Sequence, residues 1–116
     1  MVQYEEEALN SAFSALADAT RRGILERLGW GPASISELAE KFNMTLTGIK
    51  KHVAILEAAE LLTTEKVGRV RRCRLGPRRL DGEMAWINRY RATLEARLDS
   101  LGAFLARTED PDEPTD

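Results

Sequence analysis

A short capped helix, a three-residue break and a second helix, set consecutively between residues 34 and 60, constrain this chain more than any other feature. Ser34-Ile35-Ser36-Glu37 is a capping box. The Ser34 hydroxyl can accept from the third helical N–H while the Glu37 carboxylate reaches back to the N–H of the cap. The helix it opens runs over about 34–42, with Ile35, Leu38 and Phe42 apolar. Asn43-Met44 breaks it, and Thr45 caps a second helix running to about Glu60. Ile49, Val53 and Leu56 recur there at four and three residues, one face of a helix. Lys50, Lys51 and Ala54 must therefore point elsewhere, towards solvent or a ligand. Helices this short are marginal alone, so the pair has to pack as a helix-turn-helix.

The flanking segments extend the unit. Leu9, Phe13 and Leu16 give a first helix over about 5–17. Asp18 is placed to cap a second helix that turns Ile24, Leu25 and Leu28 inward, and Gly29-Trp30-Gly31-Pro32 stops it. Beyond residue 60, Leu61 to Val67 and Val70 to Leu75 are β-prone runs around Gly68-Arg69, which reads as a hairpin. Gly76-Pro77 ends it, and a helix is predicted from about 78 to 107 with apolar positions 87, 90, 94, 98, 101 and 105. A mainly α fold with a small β-hairpin, in the order α-α-α-α-β-β-α, is a winged helix-turn-helix. One domain is expected over 1–107. Residues 108–116, with two prolines and five acids, are expected to form a disordered acidic tail.

Cys73 and His52 are the only residues of their kinds in the 116. One cysteine excludes an internal disulfide framework and suits a reducing compartment. A structural zinc or thiophilic metal site takes about four N/S ligands, which this pair cannot supply. Neither a nucleophile–base motif nor a phosphate-cradling glycine loop is present, so no enzyme and no cofactor is expected. The acidic start, with Glu5, Glu6 and Glu7, is unlike a secretory signal, and no apolar run is long enough for a membrane span. A cytoplasmic protein without membrane association follows as the expectation.

The net charge of −2 conceals an asymmetry. Setting aside the three N-terminal and five C-terminal acids leaves 11 acids against 17 bases over residues 8–107. Lys66 to Arg79 holds seven of those bases and no acid. A basic hairpin beside a helix-turn-helix fits double-stranded DNA. The second helix of such a unit enters the major groove by its N-terminal half, where Thr45, Thr47, Gly48, Lys50, Lys51 and His52 stand. Ser34 and Ser36 open the preceding helix, and Arg69 and Arg71 lie on the hairpin, with Arg69 at its turn. Those ten form the expected DNA-binding set. His52 sits at the boundary of the inward stripe, and two roles stay open: a phosphate contact, or a bond to a neighbouring carbonyl that orients the helix. The same basic face would also serve a protein-docking adaptor.

Apolar length in the first and last helices exceeds what the core needs. Leu9, Phe13 and Leu16, with Ile87, Tyr90, Leu94, Leu98, Leu101 and Leu105, are the expected homodimer interface. A two-fold dimer would set its recognition helices about 34–36 Å apart and read a palindrome. A third possibility places a small-molecule effector in that dimer cleft, but no polar cluster marks a pocket, so the effector stays unidentified.

Taken in order, these segments resemble the ArsR/SmtB winged-helix repressors. The resemblance runs from Phe13-Ser-Ala-Leu-Ala-Asp-Ala-Thr-Arg-Arg-Gly-Ile-Leu-Glu-Arg-Leu28 through Ser36-Glu-Leu-Ala39, Lys51-His52, Leu56-Glu57 and Gly68-Arg-Val70. The stretch Trp86 to Leu101 resembles the metal-independent branch encoded beside SRPBCC-type proteins. That likeness, over roughly 9–107, implies a bacterial homodimer bound at the nucleoid to an inverted repeat and repressing its own gene. Three departures bear on mechanism. The segments where relatives carry metal ligands, Ile35 to Phe42 and Arg89 to Leu105, hold neither Cys nor His. Lys50 replaces a serine of the recognition helix, predicting stronger dependence on phosphate contacts. Arg72 and Cys73 stand where relatives have aromatics, and Cys73 reads as a small apolar strand residue before it reads as a redox switch.

Overall fold

The computed structural model describes residues 2–108, with side chains from 5 to 107. The expected tail, 108–116, lies almost wholly outside the described residues. The chain divides into two compact units, Met1–Leu80 and Asp81–Asp116. The first contains α1 (Val2–Leu16), α2 (Ala19–Leu28), β1 (Ala33–Ser34), α3 (Ile35–Lys41), α4 (Leu46–Ala58), β2 (Leu62–Val67) and β3 (Val70–Leu75). The described part of the second is α5 (Asp81–Thr108).

Local chemistry accounts for the helix boundaries. Asp18 caps α2, its carboxylate accepting from the Arg21 N–H at 3.0 Å. At α3 the Glu37 N–H donates to Ser34 Oγ at 3.0 Å and the Ser34 N–H to Glu37 Oε1 at 2.8 Å, completing the capping box. Thr45 Oγ1 accepts from Gly48 N at 3.0 Å and starts α4. The C-terminal ends of α3 and α4 close alike. Asn43 and Glu60 take left-handed φ values of 54° and 63°. Met44 N then donates to Ala39 O at 2.9 Å, and Leu61 N to Leu56 O at 3.0 Å. Both are Schellman closures made without glycine.

The core is aliphatic. Ile24, Leu38, Ile49, Leu56, Leu62 and Cys73 are fully buried, with Leu28, Ile35, Val53 and Leu61 beside them. The inward stripe of α4 is therefore Ile49, Val53 and Leu56, as its spacing predicts. In α1 the fully buried residues are Ala12 and Ala15, while Leu9, Phe13 and Leu16 are only half-buried. Small side chains let α1 approach its neighbours closely, and its larger apolar residues stay at the margin.

The sheet has three strands, one more than the sequence reading, in the order β1-β3-β2. The two-residue β1 pairs Ala33 with Cys73 and Ser34 with Arg72. The hairpin runs antiparallel from Leu62↔Leu75 to Val67↔Val70. Gly68, at φ 65°, takes the first of its two turn positions, where a type II′ turn requires glycine. Gly76 then passes so close to the chain that a Cβ there would stand 2.5 Å from Glu60 O. Its N–H donates to Leu61 O at 2.9 Å. This return, followed by Leu80 at φ 63°, delays α5 to Asp81 instead of residue 78.

In the second unit every side chain from Met84 to Arg107 is exposed. Trp86 and Tyr90 stack with centroids 5.5 Å apart. No helix of the described residues is long and apolar enough to cross a membrane.

Candidate nucleic-acid interface

Helical geometry gives α4 three kinds of surface. Opposite the buried stripe stand Thr47, Lys51 and Ala54, all exposed. One flank carries Lys50 and Glu57 towards the hairpin, and the other carries His52 towards the junction of α1 and α2. The N-terminal end adds Thr45, exposed although its hydroxyl oxygen accepts the capping bond, and Leu46, an apolar side chain 48% exposed. Leu46 is absent from the sequence-derived set because nothing in its spacing separates it from a core position. Gly48 is half-buried, and a Cβ there would meet Met44 Cε at 3.1 Å and Thr45 Oγ1 at 3.2 Å. The small residue thus makes room for the α4 cap itself, besides any closer approach of a ligand.

Between α4 and the hairpin runs an open groove of about 340 Å³. Ile35, Val53 and Ala54 form its apolar lining, with Lys50, Glu57, Thr64 and Arg71 also lining it. A hydrogen-bonded bridge crosses it. Arg71 Nη1 donates to Thr64 Oγ1 at 3.0 Å, and the Thr64 hydroxyl donates to Glu57 Oε2 at 2.9 Å. Arg71 is exposed, and its remaining guanidinium N–H groups leave donors beyond that bond. Lys66, its register partner, shares that sheet face. The opposite face carries Arg72 and Arg74, and Arg74 pairs with Glu65. Arg69 is exposed at the hairpin tip, flanked by Val67 and Val70 at 49% exposure each. Ser34 and Ser36 stand in the first turn of α3, Ser34 as its cap and Ser36 exposed.

Of the two open readings of His52, the bond to a neighbouring carbonyl needs correcting on its partner. The ring Nδ1 lies 3.1 Å from Arg21 Nη1 and 3.9 Å from Asp18 Oδ2. A guanidinium, not a carbonyl, holds it. No residue pattern within α4 marks this bond, because its partner lies 31 residues away.

The remaining chemistry is sparse. Cys73 is fully buried in the middle of β3, and burial pushes its thiol up to about 11, so the reactive thiolate is scarce at neutral pH. Among the described residues no cluster of three or more His, Cys, Asp or Glu could hold a metal ion.

Of the expected interface set, Leu9, Phe13 and Leu16 are half-buried, and Leu16 packs on the core of its own unit. On α5, Ile87, Tyr90, Leu94, Leu98, Leu101 and Leu105 are all exposed.

Comparison with known proteins agrees with this geometry. A helix-turn-helix domain family matches residues 16–65. A helix-turn-helix transcriptional regulator of Mycobacterium tuberculosis is 38% identical over 66 residues, 57% of this chain and 62% of that protein. The transcriptional repressor SdpR of Bacillus subtilis is 37% identical over 60 residues, 52% of this chain and 67% of that protein. The matched stretch thus spans under two thirds of the mycobacterial regulator. The crystal structure of an ArsR family transcriptional regulator superposes with a TM-score of 0.70 at 42% identity, covering 78% of this chain and 93% of that one.

Proposed function

Because the chain belongs to the ArsR family of transcriptional regulators, we propose that it is a repressor that binds an inverted repeat in DNA as a homodimer and controls its own gene. In this reading α4 enters the major groove by its N-terminal half. Thr45, Thr47, Gly48, Lys50 and Lys51 meet bases and phosphates there, with Ser34 and Ser36 on the adjoining backbone. The hairpin lies on flanking DNA through Arg69 and Arg71. The observation that carries the reading is the exposed Thr47–Lys51 face of α4 beside an arginine-bearing hairpin within one compact unit. Dimerisation rests on the α5 stripe from Ile87 to Leu105, with Leu9 and Phe13 of α1. No metal sensing enters, since the lone thiol is buried and the lone imidazole is bonded to a guanidinium.

Fluorescence anisotropy on the chain's own upstream DNA and on a shuffled control, across about 50–300 mM salt, tests the proposal. A preference of roughly a thousandfold or more with a steep salt slope is expected. The Lys50→Ser variant should lower that slope by about one, as loss of one phosphate contact requires. Equal weak binding to both DNAs would leave only generic electrostatics and favour a protein-docking role.

A further inference from the structure

The flank of α4 turned away from the hairpin carries a connection that the DNA-binding reading does not use. Helix α1 ends at Leu16 with no basic residue in its own last turn. Its terminal carbonyls lack intrahelical partners and carry the negative end of the helix dipole. Two arginines of α2 supply both donors and charge. Arg22 Nη1 donates to Leu16 O at 2.7 Å. Arg21 does more: Nε donates to Ala15 O at 2.8 Å and Nη2 to Ser14 O at 3.1 Å, while Nη1 reaches His52 Nδ1 at 3.1 Å. Its backbone N–H meanwhile donates to Asp18 Oδ2, the cap of α2.

We propose that Arg21 is a positioning residue for DNA recognition, its guanidinium tying the end of α1 to His52 and thereby holding the N-terminal half of α4 in its binding pose. The inference rests on the DNA-binding reading above. A guanidinium has donors only, so His52 Nδ1 must accept, and the neutral ring carries its proton on Nε2. Three N–H groups fixed in one plane are what the arrangement demands. A lysine ammonium, a single centre on a flexible stem, cannot span Ser14, Ala15 and His52 together. The opposite flank of α4 is bridged from Glu57 through Thr64 to Arg71, near the C-terminal end of the helix. At the N-terminal half, ahead of Val53, the Arg21–His52 bond is the side-chain tie that supplements the packing of Ile49. That half carries Thr47, Lys50 and Lys51.

Two measurements test this. The first reads the wild-type protein without DNA: nitrogen chemical shifts of the His52 ring at neutral pH. An acceptor Nδ1 and a protonated Nε2 are expected, and a proton on Nδ1 overturns the tie whether or not the protein binds DNA. The second is a double-mutant cycle on the upstream DNA across a salt series, with circular dichroism confirming the folded state. Arg21→Lys should weaken specific binding about tenfold, His52→Leu should do the same, and the double variant should be no weaker than either. The salt slope, read with Arg21→Gln because a lysine would keep the charge, should not change, since no phosphate contact is lost. His52→Asn, which keeps an acceptor near the Nδ1 position, should retain most of the affinity. Unchanged binding in Arg21→Lys, additive losses, or a slope reduced by about one in Arg21→Gln would each overturn the proposal, the last by making Arg21 a phosphate contact. Absence of specific binding by the wild type, with the expected tautomer present, would fault the DNA reading and leave the tie itself standing.

Discussion

Helices α4 and α5 carry the same apolar rhythm and meet opposite fates. In α4, Ile49, Val53 and Leu56 recur at four and three residues and are at most 3% exposed. In α5, Leu94, Leu98, Leu101 and Leu105 recur at four, three and four, and each is at least 45% exposed. Periodicity therefore reports that a face needs covering and says nothing of what covers it. For α4 the cover is the chain's own aliphatic core. An exposed stripe of this length, with Trp86 and Tyr90 stacked near its start, is the kind of surface that marks an interaction site. A second copy of the chain is the cover that the proposed function assigns.

The largest effect should come from breaking the exposed α5 stripe. Leu98→Glu places a charge in the middle of it and should yield a monomer at micromolar concentration by analytical ultracentrifugation. Specific DNA affinity should fall with it by about 10²- to 10⁴-fold, the avidity that linking two half-sites supplies. A dimer that survives Leu98→Glu would show that α5 is covered by something other than its own copy.

The covered stripe should fail differently. Ile49→Ala leaves a cavity in a fully buried site and should cost about 2–5 kcal/mol, a large part of a small domain's stability. By thermal denaturation the loss should be the same at every protein concentration, because Ile49 packs within its own unit. Leu98→Glu should instead abolish the concentration dependence of the wild-type midpoint. If both variants behaved alike, the contrast between the two helices would collapse.

Signals local in the chain are the ones legible in the sequence. Asp18, Ser34 with Glu37, and Thr45 cap the helices that their spacing predicts, since each bond spans three residues. The α4 stripe was legible for the same reason. What escaped depends on distant chain. The strand β1 exists only through pairing with Arg72 and Cys73, and Ala33-Ser34 has no β signature of its own. Spacing alone places the start of α5 near residue 78, too early, because the Gly76 approach to Glu60 and the left-handed Leu80 occupy the residues between. Of the site, the exposed Thr47, Lys50 and Lys51 followed from helical phase. The Arg21–His52 bond did not, because Arg21 reads equally well as an ordinary surface cation of α2.

The smallest effect separates the two regions by acid. Asp18 is held below its ordinary value of 3.8, chiefly by the hydrogen bond from the Arg21 backbone N–H. Glu37 is held below 4.5, chiefly by the Ser34 backbone N–H and then by the Ser34 hydroxyl. Both groups cap helices of the compact unit. A carboxyl whose value is depressed on folding contributes stability above its unfolded value and loses that contribution as pH falls through its folded one. The stability of this unit should therefore decline as pH drops below about 4.5 and continue to fall below 3.8. Asp18→Asn and Glu37→Gln keep the capping bonds without titrating. The double variant should match the wild type near neutrality and lose stability less steeply in acid, followed as the thermal midpoint at each pH. Parallel decline of variant and wild type would place the acid sensitivity in carboxylates outside these two caps.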